Sequence, residues 1–197
     1  MLYTESIRFF LTMRMRLIIK KVARIRVLAL AATLGTLVII PLAGRVYEKP
    51  EEALQAVFPG SQTSRKPVYL SKEEQKTLSQ QSGKELKGRF YTFYEARKNG
   101  QLQGYGTFVT EVVRTKEQTL FVAVDASGKV KDVRLISFYE PQEYRPPDRW
   151  LALLVGKSMS DSVQPGKDLP AMSGASLTAR TTSDITRMVL AIVKMKL

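Results

Sequence analysis

Hydrophobic positions along the chain fall into runs of different period. Val27 to Ala43, "VLALAATLGTLVIIPLA", is apolar and uncharged throughout. As a helix it would reach about 26 Å at 1.5 Å per residue, against a hydrocarbon core of about 30 Å, so it predicts one transmembrane span. Arg24 and Arg26 are placed to snorkel at one end, and Arg45 and Tyr47 to anchor the other. Beyond it, Leu54, Val57 and Phe58 share a helical face that Pro50 opens and Pro59-Gly60 ends. "LSKEEQKTLSQQSG" predicts a second helix, with Ser71 and Glu74 as a capping box and Gly83 at its exit.

The period then changes. "GRFYTFYEA" and "GYGTFVTEVVR" are rich in aromatic and β-branched residues, with Gly104 and Gly106 suited to a close approach or a bulge. "QTLFVAVDASGKVKDVRLISFYE" alternates on both sides of Asp125-Ala126-Ser127-Gly128, which predicts a hairpin. A proline-rich connection leads to "DRWLALLVGK", a short helix expected to turn Trp150, Leu151, Leu154 and Val155 inward. In a final helix, expected to start between Leu177 and Asp184, Ile185, Met188, Val189, Ile192 and Val193 keep helical spacing. Helices, then strands, then helices predict an α+β fold. Its antiparallel sheet is flanked by helices and preceded by one N-terminal transmembrane helix. The organisation expected is a basic cytoplasmic N-terminus over 1–26, an anchor over 27–46 and an extracytoplasmic domain over 47–197.

Charge sharpens this picture. The net charge is +13, but eight of the 31 bases and one of the 18 acids lie in residues 1–46, which leaves +6 for the rest. A basic cluster ahead of an apolar span places the N-terminus in the cytoplasm and the following domain outside. A cleaved signal peptide is the alternative for the same segment. The remaining bases form no aromatic-interleaved stripe, which argues against nucleic acid. The chain has neither cysteine nor histidine. Disulfides, thiolate metal sites and haem attachment are therefore excluded, and the commonest general base is missing. Redox chemistry here calls for an organic cofactor.

One stretch offers a seat for such a group. In "DLPAMSGASLTAR", Ser173-Gly174-Ala175-Ser176 stands just ahead of the last helix. A helix N-terminus presents unpaired N–H groups and the positive end of a dipole, which suits a phosphate. Small residues keep the backbone bare. The plainer reading is a helix cap or tight turn.

The stretch resembles the flavinylation motif of the FMN-binding domain family. That family includes the G-type subunit of Rnf electron-transport complexes and the C-type subunit of the sodium-pumping NADH:quinone reductase. Its pattern runs approximately D-x-x-[ST]-G-A-[TS]-x-[ST]. The resemblance implies covalent FMN, joined through a phosphoester to Ser176 by a separate flavin transferase. Ser173, Gly174 and Ala175 would lead into the attachment residue, and Leu177 and Thr178 follow it. Serine stands where threonine is usual. Pro170 occupies the acidic position, with Asp168 two residues upstream. Glu140 and Pro141 are the counterparts of a segment of E-T-P-G type that lines the flavin in relatives.

The function implied is a single-pass inner-membrane electron carrier, its domain in the periplasm or extracytoplasmic space. Membrane redox proteins would be its donor and acceptor. Lys167, Arg180 and Arg187 are candidate neutralisers of the phosphate. Tyr139, Tyr144 and Trp150 are aromatic surface for the ring, with Trp150 also suited to the core. The alternative is a membrane-anchored binding or assembly module without flavin. A hydrolase using Ser176 as nucleophile lacks a histidine base and a clear lysine dyad.

Overall fold

A computed structural model describes residues 44–197. The basic segment and the apolar run to Ala43 lie outside the described residues. Among those described, no helix is long and apolar enough to cross a membrane. The elements are β1 (Arg45–Val46), α1 (Pro50–Val57), β2 (Gln62–Tyr69), α2 (Lys72–Ser82), β3 (Phe90–Lys98), β4 (Gln101–Val112), β5 (Glu117–Asp125) and β6 (Val130–Phe138). Next come α3 (Asp148–Leu151), continued by a 3-10 turn over Ala152–Leu154, and α4 (Ser176–Lys196). The strands form one six-stranded sheet in the order β1-β6-β5-β4-β3-β2, antiparallel throughout. The α+β expectation is met.

Local chemistry accounts for the elements. Ser71 Oγ accepts from Glu74 N–H at 3.1 Å, and Glu74 accepts in return from Ser71 N–H at 2.8 Å. Gly83 closes the same helix in the left-handed region, at φ 66°. In the β5–β6 hairpin, Asp125 Oδ1 accepts from the N–H groups of Ser127 and Lys129. Gly106 allows the close approach expected of it, since a Cβ there would press on the Phe121 ring.

The sheet is covered unequally. On one face Phe93, Leu120, Val122 and Val124 pack beneath α2, α3 and α4, with Leu78, Leu154, Ile185, Val189 and Ile192. On the other, α1 sets Ala53, Leu54, Val57 and the adjoining Phe58 on Phe121, Ala123 and Ile136. All five apolar positions anticipated on the last helix are buried.

Three expectations are corrected, and one strand is added that the pattern did not predict. The segment Gln62–Tyr69 is a strand, hidden in sequence by its polar residues and Pro67. As an edge strand it buries only Val68 and tolerates a proline. Arg45 and Val46, expected in the anchor, instead pair with Phe138 and Ser137 of β6. Beside them Tyr47, the expected anchor of the span's end, donates its hydroxyl to Gln142 Oε1 at 2.6 Å. Val155 is 47% exposed, because the helical path stops at Leu154 and the chain turns extended there. The last helix starts at Ser176, ahead of the expected range, so the motif serine belongs to its first turn.

Candidate functional site

Ser176 is the first residue of the 21-residue helix α4, and Ala175 is its N-cap. Alanine offers no oxygen, and no side chain caps the helix. The capping interpretation of Ser173 and Ser176 is therefore not realised. The first-turn N–H groups of Ser176, Leu177 and Thr178 find no backbone or side-chain acceptor among the described residues. Gly174 takes φ 76°, a left-handed conformation that lets the chain turn into the helix, and the space beside it is open. Ser173 and Ser176 are exposed, whereas Ala175 and Thr178 are buried.

Gly174 to Thr178 join Arg114 and Tyr144 around a recess of about 40 Å³. That is room for about three water-sized groups at roughly 10–15 Å³ each: enough for a phosphate, too little for a flavin ring. Thr178 is 1% exposed and its Oγ1 has no partner among the described residues. The Arg114 guanidinium lies 4.8 Å from the centroid of the Tyr144 ring.

Beside the recess, with Ala175 as a shared wall, opens a cleft of about 560 Å³. Trp150, Leu153, Met172 and Pro170 give it apolar surface, and Glu143, Arg145 and Arg149 give it charge. Trp150 is 4% exposed and donates its indole N–H to the Pro170 carbonyl at 2.9 Å, so it belongs to the core and to the cleft wall at once. The volume lies within the range of about 300–1,000 Å³ usual for organic ligands. A second cleft, of about 630 Å³, lies between Tyr47, Asp132 and Val155, with its Arg134 spent on Glu48 and Asp132.

Several candidates stand elsewhere. Glu140 and Pro141 line neither the recess nor the cleft. Glu140 is 4% exposed, and its Oε1 accepts from the N–H groups of Arg114, Thr115 and Lys116 at 2.9, 2.7 and 2.8 Å. Desolvation pushes its carboxyl up, but these three donors and the Arg114 charge outweigh it and hold the group below its ordinary value. Asp168 fastens its own loop, accepting from Val163 and Gln164 N–H and from Lys157 Nζ. Against desolvation, those partners lower it to about 2. Lys167, Arg180 and Arg187 line neither space. Arg187 is paired with Asp184 at 2.7 Å. Tyr139 is exposed, with its ring against Gly44.

Arg114 is the residue that sequence reading passed over. It follows a strand in an ordinary basic turn, and only the fold carries that turn to the start of α4. No group of acidic residues among those described is arranged to hold a metal ion. No protein-family model, curated protein or solved structure matches the chain.

Proposed function

We propose that this protein is a membrane-anchored electron carrier with FMN linked by phosphoester to Ser176. The observation that carries the reading is an exposed serine hydroxyl in the uncapped first turn of a 21-residue helix. Beside it lie a recess of phosphate size and a cleft of about 560 Å³. The orphaned, buried Thr178 hydroxyl fits a site completed by an anion. The sequence resemblance supplies the identity of the group.

Each part of the site has a task in this reading. Ser176 Oγ would hold the group: it would take the FMN phosphoryl from a flavin dinucleotide, giving its proton to a base of the transferase, with a nucleoside monophosphate as the leaving group. No base of this chain accepts a hydrogen bond from Ser176 among the described residues, in keeping with attachment by a separate enzyme. Gly174 and Ala175 keep the approach open. The N-terminal amides of α4 and its dipole receive negative charge. Trp150, Leu153 and Met172 exclude water from one side of the cleft, while Arg149 favours added negative charge on a ring seated there, Arg145 being paired with Asp148. FMN supplies one- and two-electron transfer when bound. The apolar run from Val27 to Ala43 serves as the anchor, with the domain outside the cytoplasm beside membrane donors and acceptors.

The experiment is co-expression with a flavin transferase, followed by intact and peptide mass spectrometry. The expected result is one added FMN on the peptide containing Ser176 and none in Ser176→Ala. An unmodified wild-type peptide would leave the flavin-free binding module as the better account.

A further inference from the structure

Among the described residues the recess wall contains one charged residue, Arg114, which is exposed and makes no side-chain hydrogen bond. It takes part in none of the ion pairs among the described residues. It lies over the Tyr144 ring, and its charge also acts on the Glu140 carboxylate. Stacking on a ring leaves the in-plane N–H donors of a guanidinium free, the arrangement in which arginine grips phosphate oxygens. Across the recess stand the amides of Ser176, Leu177 and Thr178, unpaired among the described residues, with the buried, partnerless Thr178 Oγ1 in the same helical turn. Donors thus converge from two separate elements, the β4–β5 turn and the start of α4.

The turn that carries Arg114 is itself fixed. Three successive backbone N–H groups, from Arg114 to Lys116, converge on one oxygen of Glu140. Val113 N–H also donates to the Lys116 carbonyl, closing the turn at 2.9 Å. Glu140 lines no part of the recess, and its hydrogen bonds reach the site through the turn that carries Arg114.

We propose that Arg114 is the phosphate-binding residue of the Ser176 site, and that Glu140 is the positioning residue that holds it there. This deepens the reading of Ser176 as phosphate-bearing and rests on it. The ligand class is a phosphate monoester or diester. Its charge is met by one guanidinium and three helix amides, which leaves the esterified oxygen toward Ser176 and the organic group toward the cleft.

The test uses the full chain, unmodified, titrated with inorganic phosphate while the amide resonances of Ser176, Leu177 and Thr178 are followed. Phosphate is expected to shift all three. Arg114→Gln should weaken its affinity about tenfold, and Arg114→Lys less, since lysine keeps the charge without the planar fork. Glu140→Gln should weaken phosphate in the wild-type background and add nothing to Arg114→Gln. A purely structural role for Glu140 would instead give additive losses. Unshifted amides, or equal affinity in Arg114→Gln, overturn the proposal; additive losses overturn the part assigned to Glu140. The transferase reaction separates this from the underlying reading. Phosphate binding that depends on Arg114, in a chain the transferase leaves unmodified, would remove the flavin and keep the phosphate site. A wild type and an Arg114→Gln variant modified at equal rates would keep the flavin and remove the role of Arg114.

Discussion

At the scale of single residues, a buried hydroxyl without a partner is an expense that folding alone does not justify. Thr178→Val replaces it with a methyl of nearly the same shape. Chemical denaturation should therefore show the variant at least as stable as wild type, by up to about 1 kcal/mol, while phosphate affinity falls. A loss of stability instead would mean that the hydroxyl is already satisfied in the free protein. Glu140 has the opposite character. Glu140→Ala strands three backbone N–H groups at the β4–β5 turn, and the cost expected from denaturant midpoints is about 2–4 kcal/mol, allowing for partial rescue by water.

At the scale of elements, α4 begins at an alanine where serine, threonine, aspartate or asparagine would normally stand. Capping it should expose a conflict between stability and function. Ala175→Ser is expected to stabilise the fold by about 0.5–1 kcal/mol and to slow modification at Ser176, because the new hydroxyl competes for the same amides. Thermal melts and the rate of mass gain in the transferase reaction read the two effects separately. If Ala175→Ser raised both, the amides would not be the phosphate seat. The edge strand β2 makes a related point about legibility. Its alternation is lost because one face is open and hydrogen bonding to β3, rather than burial, holds it.

At the scale of the whole molecule, acid sensitivity follows from the carboxylates. Asp125, Glu140 and Asp168 are all held below their ordinary values, Asp168 at about 2. A depressed carboxyl stabilises the fold fully above its unfolded pKa, near 4, and that contribution is lost as pH falls through the folded value. Asp184, which desolvation raises, runs the other way and offsets part of the loss. Urea midpoints should therefore fall from about pH 4 toward pH 2, and less steeply in Asp168→Asn, which starts lower. A flat profile over that range would mean that these carboxylates are equally solvated in the unfolded chain. Membrane association belongs to this scale too. The full chain should be released from membranes by detergent and not by high salt, and a chain starting at Gly44 should need neither.

Sequence by itself determined the α+β class, the capping box at Ser71, the hairpin at Asp125 and the buried face of α4. Each is set by residues close together in the chain, through period, propensity and turn chemistry. It also singled out Ser176 through a local motif. Only the tertiary structure decided that Ala175, not a hydroxyl, caps α4, that Glu140 clamps a turn instead of lining a cleft, and that Arg114 and Tyr144 face the motif serine. Those relations join distant segments through sheet register and helix packing, and a linear pattern of polar and apolar positions carries no record of which loops the sheet brings to one end.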